Sequence, residues 1–176
     1  MRRLYFRYLT CFCENYAAGR ICGISVICDY MITAHCATTP EEQELAFAIR
    51  NQVFVEGQNV PRELEHDAYD QHGATHYLAR TADGTPCGAA RWRPTDHGVK
   101  LERFAVLEPY RNQQAGAALL RAVLHDVQAA HPTAEVYLNA QLPAVRFYER
   151  HGFEKVGPAF WEAGIEHYKM VWRRMP

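Results

Sequence analysis

The chain has no uninterrupted apolar run close to the roughly 20 residues that a membrane-spanning helix requires, so no membrane is expected as a partner. Neither sign of charge dominates: 19 lysines and arginines stand against 20 aspartates and glutamates, a formal net charge of −1. That balance argues against wholesale nucleic-acid binding. Cysteine is scarce after the first thirty residues. Cys11, Cys13, Cys22 and Cys28 all precede Met31, no two cysteines form a CxxC pair, and no spacing matches a zinc template. Cys36 and Cys87 remain in the body, which reads as a reduced, cytoplasmic chain without structural disulfides. A Gly-Lys-Ser/Thr signature is missing, which excludes a P-loop. There is no internal repeat and no low-complexity linker, and 176 residues suit one domain with a real core.

The first thirty residues, MRRLYFRYLTCFCENYAAGRICGISVICDY, have no clean period. Arg7 and Glu14 interrupt what would be the apolar core of a secretory signal, and no small-residue cleavage site follows. Met31 opens MITAHCATTPEEQELAF, which reads at once as strand, cap and helix. Residues 1–30 are therefore expected to be an upstream extension, such as a misassigned start would add, and 31–176 the working domain.

From Met31 the pattern predicts a strand over Met31–Cys36. Thr39, Pro40 and Glu42 then supply a cap, a first helical residue and a capping box. Leu45, Ala48, Ile49 and Val53 recur at helical spacing. The stretch VEGQNVPRELEHDAYD is irregular and acidic, with a short helix near Arg62–Asp67. Three strands follow, over Thr75–Thr81, Cys87–Arg93 and Val99–Leu107, joined by ADGTP and TDHG turns into an antiparallel meander. A helix over Gly116–Ala130 carries the stripe Leu119, Leu120, Val123, Leu124 and Val127. Glu135–Asn139 is a strand, Pro143–His151 a helix stopped by Gly152, and Phe153–Val156 and His167–Trp172 are final strands. The fold class is α/β (α+β): a mixed, mostly antiparallel twisted sheet of about seven strands with flanking helices.

One stretch asks for a chemical explanation. In LERFAVLEPYRNQQAGAALL an apolar strand gives way to Arg111, Asn112, Gln113 and Gln114, then to Ala115, Gly116 and Ala117 at a helix start. A helix N-terminus presents unpaired N–H groups and about half a positive charge. Amides from Asn112 to Ala117 could converge on a pyrophosphate, with Arg111 adding planar donors. An ordinary solvent loop would look the same, and so short a motif does not decide. His72 and His76 stand i, i+4 apart, but Gly73 and Thr75 point to a turn entering a strand, so no metal is expected.

LERFAVLEPYRNQQAGAALLRAVL resembles the acetyl-CoA-binding motif of the GNAT superfamily of N-acetyltransferases, and LNAQLPAVRFYERHGF resembles the second GNAT signature. More narrowly, IRNQVFVEGQ, ELEHDAYD, AARWRP, LNAQ and FWEAGIEHYKM resemble the ElaA-like branch. The likeness runs from about Met31 to Trp172. It departs from the family at Gln114, where glycine is usual.

This resemblance implies a GNAT fold and transfer of the acetyl group of acetyl-CoA, a cosubstrate, to a primary amine by direct attack in a ternary complex. Coenzyme contacts would come from Phe104, Ala105 and Val106 on a strand that splays from its neighbour, from the 111–117 turn, and from Asn139. An alkylamine must lose a proton at a cost of about 4–5 kcal/mol at pH 7, and the leaving thiolate benefits from a donor. Glu102 is the candidate base, with an ion pair to Arg91 or Arg103 as the competing reading. Tyr148 is the candidate acid, with a core aromatic as its alternative. Glu56, Gln58, Glu65 and Asp67 form an acidic loop set with Asp70, and this implies a cationic acceptor, with a solvated charged loop as the competing reading; Arg91, His76 and His167 complete the implied acceptor side, each histidine having a satisfied structural role as its alternative. Expected partners are a small-molecule or peptide amine, with a homodimer left open. A non-catalytic acyl-CoA-binding or sensor module of the same fold is the alternative, kept open by Gln114.

Overall fold

The computed structural model describes residues 32–173. The leader, the boundary ahead of Met31 and the four early cysteines lie outside the described residues. Eight strands form one sheet: β1 (Thr33–Cys36), β2 (Thr75–Arg80), β3 (Pro86–Thr95), β4 (Gly98–Val106), β5 (Val136–Gln141), β6 (Phe153–Lys155), β7 (Phe160–Glu162) and β8 (Ile165–Trp172). The helices are α1 (Pro40–Arg50), α2 (Arg62–Glu65), α3 (Ala115–Ala130) and α4 (Val145–Glu149). The spatial order is β1-β2-β3-β4-β5-β8-β6, with β7 hydrogen-bonded to β8. Every pair is antiparallel except β4–β5. The eighth strand, β7, is only three residues long, too short to show a period. A two-residue turn with positive φ at Ala163 and Gly164 joins it to β8.

Local chemistry accounts for most boundaries. Thr39 Oγ1 accepts the Glu42 amide at 3.2 Å and caps α1, a contact worth about 1 kcal/mol. The return leg of the expected capping box lands one residue early. Glu42 accepts the Thr38 amide instead, while His35 of β1 holds its other oxygen at 2.7 Å. The inward face of α1 also differs from expectation. Ala46, Ile49 and Val53 are buried, whereas Leu45 and Ala48 are exposed. Arg50 is fully buried, so the inward face is centred on Ala46, Ile49, Arg50 and Val53 and keeps only half of the expected stripe. After Arg50 the chain continues as one π-helical segment, Asn51–Glu56, which keeps the expected helical run through Val53 but with a wider turn, and carries it two residues into the stretch from Val55 that was expected to be irregular. The helix expected over Pro143–His151 is shorter. Leu142–Ala144 forms a 3₁₀ turn before α4.

Alternation along the strands assigns two chemistries to the two sheet faces. Tyr77, Ala90, Trp92, Val99, Leu101, Leu138 and Met170 join Leu119, Leu120, Val123 and Val127 of α3 in the main core. The opposite face carries His76, Arg91 and Arg93, with Lys100 and Glu102 in register beside them. It is covered by α1, its π-helical extension and α2, with a smaller apolar core of Ala46, Ile49, Val53, Leu78, Ala89 and Ala105.

Strands β4 and β5 pair only over Val99–Leu101 and Val136–Leu138. A bulge in β4 follows, where three steps from Glu102 to Ala105 match two from Arg91 to Ala89, and Arg103 takes φ 58. Past this point β4 keeps pairing with β3 while β5 pairs with β8. Phe104–Val106 and Asn139–Gln141 therefore face one another unpaired.

Gly98 sets the closed end of this fork. It has φ 122, and an alanine Cβ there would lie 2.2 Å from the Glu135 carbonyl oxygen, beside the Val99 N–H···O=C Glu135 bond of 2.8 Å. Gly98→Ala should destabilise the protein by about 2–4 kcal/mol through backbone strain and displacement of β5. Urea unfolding of the two proteins measures it, and equal midpoints would mean that β5 tolerates the shift.

Candidate active site

A cleft of about 1100 Å³ occupies the fork. That is slightly above the usual ligand-site range and leaves room for a long ligand and a second, smaller one. At one end lies the start of α3. The Ala118 amide is the first to bond back, to the Gln114 carbonyl at 2.8 Å, so the amides of Ala115, Gly116 and Ala117 have no intrahelical partner. Asn112 and Gln114 hold the turn with φ 62 and φ 68. Asparagine tolerates this left-handed region, while glutamine carries a cost that glycine would not. No side chain caps the helix. Arg111 lies at the mouth, its Nε donating to the Val106 carbonyl at 3.3 Å.

Tyr148 reaches the cleft from α4. Its ring is packed edge-on against Phe104, Phe147 and Phe153, and it is only 7% exposed. Burial raises its phenol above the ordinary range, so it stays protonated at neutral pH. Phe147 instead packs toward Gly116, where an added Cβ would sit 3.4 Å from the ring. On the opposite sheet face Gln141 and Gln58 exchange amide hydrogen bonds of 2.9 and 3.2 Å. This clasp joins β5 to the loop after the π-helical segment. Val53, Phe54, Val60 and Leu64 form an apolar wall beside it. Asn139 donates to Glu162 of β7 at 3.1 Å.

Behind the wall lies a buried ion-pair network. Arg50 donates to Glu65 at 2.5 Å and, through two nitrogens, to Asp70 at 2.7 and 2.9 Å. Arg91 reaches Asp67 at 2.6 and 2.8 Å, Glu102 at 3.0 Å, and Asp70. Arg103, turned out by the bulge, pairs with Glu65 at 3.0 Å and donates to the Leu64 carbonyl at 2.8 Å. Arg93 and Lys100 add contacts to Glu102 at 2.8 and 3.3 Å. Burial pushes the Glu102 carboxyl up, but Arg91, Lys100 and Arg93 outweigh it and hold the group below its usual range. Burial likewise raises Asp70, and the hydrogen bonds and charge of Arg50, with Arg91, bring it down to about 2.

The cleft brings together Glu102, Phe104, Val106, Arg111, Asn112, Gln114, Ala115, Gly116, Ala117, Asn139, Tyr148, Gln58, Glu65 and His167. Six expected residues do not line it. Ala105 faces the smaller core, and Gln113 folds back to the Pro109 carbonyl at 2.7 Å. Glu56 accepts the Asn51 amide on the outer side. Asp67 and Arg91 belong to the ion network. His76 is 3% exposed, packed edge-on against Phe47, and burial and the charge of Arg50 lower its pKa. Sequence reasoning missed Glu162, Gln141, Lys100 and the apolar wall. Glu162 lies in the quoted FWEAGIEHYKM stretch. The wall is assembled from the π-helical segment (Val53, Phe54), the loop after it (Val60) and α2 (Leu64), and only Val53 belonged to a periodic pattern.

A model of the acetyltransferase (GNAT) domain matches residues 36–174. The chain belongs to the GNAT acetyltransferase family. It is 37% identical over 136 residues to the uncharacterised N-acetyltransferase YjcF of Bacillus subtilis, covering 77% of this chain and 95% of that one. Escherichia coli ElaA superposes with a TM-score of 0.71 at 26% identity, over 82% of this chain and 99% of its own. An acyl-CoA N-acyltransferase of Pseudomonas aeruginosa gives the same values. The expected fold and the expected likeness to ElaA are thus both found. Membership makes this GNAT chain a transferase acting from an acyl-CoA, acetyl-CoA being the family's cosubstrate. The unpaired amides of α3 and the unpaired edges of β4 and β5 suit a pyrophosphate and an amide-bearing arm. No helix among the described residues is long and apolar enough to cross a membrane.

The ion network carries a pH signature. Asp70 binds its proton more weakly in the folded chain than in the unfolded one. Its contribution is complete above about pH 4 and disappears as pH falls through about 2. Over that interval urea midpoints should drop by the equivalent of about 2 kcal/mol for this one group. Asp70→Asn should lose about 3–5 kcal/mol at pH 7, because it strands buried guanidiniums, and should flatten the acid decline. Identical acid profiles for the two proteins would place the stabilising charge elsewhere.

Proposed function

We propose that the protein transfers the acetyl group of acetyl-CoA to a primary amine by direct attack in a ternary complex. The observation that carries this reading is the fork between β4 and β5. It opens on one face at the unpaired amides of α3 and on the other at the apolar wall and the Gln58–Gln141 clasp. Two ligands entering from opposite faces would meet inside the sheet, beside Tyr148.

Arg111 and the amides of Ala115–Ala117 hold the pyrophosphate, and the free edges of Phe104–Val106 and Asn139–Gln141 align the pantetheine arm. Tyr148 keeps its proton at neutral pH and donates it to the departing sulfur. Glu102 is not assigned the base role, because three cations hold its proton affinity down. It anchors Arg91, Arg93 and Lys100 under the cleft floor. The acidic loop set is spent in the same way, with Glu65, Asp67 and Asp70 matched to Arg50, Arg91 and Arg103. The acceptor therefore meets an apolar wall with the carboxylate of Glu162 beside it, rather than a cluster of free acids. An amine with an apolar body, such as phenethylamine, is the apt first probe. A reduced cytoplasm as working compartment suits the free thiols of Cys36 and Cys87.

The left-handed Gln114 favours a second reading, an acyl-CoA-binding module without turnover. Gln114→Gly should relieve about 1 kcal/mol of backbone strain, raise Tm and tighten acetyl-CoA binding in calorimetry. Weaker binding by the variant would mean that the glutamine side chain itself contacts the coenzyme.

Tyr148→Phe separates transfer from binding alone. It keeps the ring and removes the hydroxyl, so Tm and acetyl-CoA affinity should hold while kcat falls roughly 10²–10⁴-fold. Thiol release from acetyl-CoA with phenethylamine reads the rate. Wild-type turnover in Tyr148→Phe would end the acid assignment. A wild-type protein that binds acetyl-CoA and releases no thiol with any amine would favour the binding module.

A further inference from the structure

We infer that His167 is the general base that deprotonates the acceptor amine. The inference rests on the transfer reading above and names the group that this reading leaves unassigned.

Three carboxylates and two imidazoles line the cleft among the described residues. Glu65 is matched by Arg50 and Arg103, and Glu102 by Arg91, Arg93 and Lys100. Glu162 is exposed and accepts from Asn139. His151 donates from Nδ1 to the Phe147 carbonyl at 2.8 Å and is packed against Phe147, whose ring lies over Gly116. His151 thus belongs to the coenzyme end.

His167 stands on the other side. It is directly opposite Gln141 in the β5–β8 register, and so shares a face with the Gln58–Gln141 clasp, while Tyr168 and Met170 turn to the α3 core. Its Nδ1 lies 2.8 Å from the Ile165 carbonyl oxygen. A carbonyl only accepts, so Nδ1 carries the hydrogen and Nε2 keeps its lone pair. The ring is stacked on Phe160 and is 8% exposed, so its orientation is held by packing as well as by that bond. Charged groups facing it are Glu162 from β7 and, across the fork, Lys100 and Glu102, which are paired with each other. Lys169 on its own strand places its ammonium over the Tyr137 ring. None of these hydrogen-bonds to Nε2.

The step balances as follows. His167 Nε2 takes one proton from the entering ammonium and passes it to solvent. The freed nitrogen pair forms the C–N bond at the thioester carbonyl, and the C–S bond breaks. The thiolate takes the Tyr148 proton, and the second proton leaving the amide nitrogen replaces it through solvent. Acid and base then approach the reacting carbon from opposite faces of the sheet.

Rates of thiol release with acetyl-CoA and phenethylamine, measured from pH 5.5 to 9, test this. His167→Gln should lower kcat/KM by about 10²–10⁴-fold at neutral pH and abolish the acid limb, with acetyl-CoA affinity unchanged and partial rescue by added imidazole. His151→Gln should keep the acid limb. Persistence of that limb in folded His167→Gln, or its loss in Glu162→Gln instead, overturns the inference. Nitrogen-15 spectra of histidine-labelled wild type provide a reading that needs no acceptor. A proton on Nε2 of neutral His167, or no titration of its ring between pH 5 and 9, also overturns it. A wild type that binds acetyl-CoA, shows the expected tautomer and acetylates no amine would defeat the transfer reading, and the inference with it.

Discussion

Strands β4 and β5 share hydrogen bonds over only three residue pairs, and the remaining edge groups are left facing each other across a gap. Backbone N–H and C=O groups away from water need partners. A gap of this kind is stable only if water fills it or a ligand with its own amides completes it. The β4 bulge maintains the separation. It adds a residue on one side, raises the local twist, and sends Arg103 out of the ladder toward α2. Gly98 holds the strands together at the closed end. Parting and closure are thus set by two backbone conformations five residues apart, about 17 Å of strand, on a single nine-residue element.

The charge network supports this arrangement from behind. Burying two guanidiniums costs several kcal/mol each unless they are paired and fully hydrogen-bonded. Here Arg50 and Arg91 each engage two or more carboxylates, and Asp70 serves both. The arrangement ties the C-terminal end of α1, α2 and the loop after it to β3 and β4. Its chemical consequence is that nearby acids are neutralised. Carboxylates that could have given the acceptor side a strong negative field are spent on holding the wall in place, and beside the apolar side chains, amides and imidazole, Glu162 is the lining carboxylate held by an amide rather than by a cation.

Much of the fold was legible in the sequence. Strands of the meander and the helix of the 111–130 region came within a residue or two, because their periods are clear and their turns carry Gly, Asp and Pro. Less could be read around α1. Arg50 looks like a surface residue in sequence, and its burial depends on Glu65 and Asp70, fifteen and twenty residues later. The π-helical segment has no period of its own. Strand β7 is held by β8 and by a two-residue turn, not by any pattern within its three residues.

For the site, the coenzyme turn could be named from sequence alone, since a helix start with small residues and a basic approach uses local chemistry that needs no distant partner. Gln114 was visible as a departure, and its left-handed φ explains physically why glycine suits the position. The acceptor side was not readable in that way. Glu65 and Asp67 stand in the sequence as free acids, and for Glu102 the base and the Arg91 ion pair were both open there; tertiary contacts turn all three into arginine partners. His167 stands there as one histidine among nine. Its tautomer is set by the Ile165 carbonyl and its face by pairing with Gln141, twenty-six residues earlier. Sequence determined which elements form and which residue types line their ends, because periodicity, caps and turns act over a few residues. Charge neutralisation, burial and tautomer act between chain segments far apart in sequence, so the tertiary structure alone decided them.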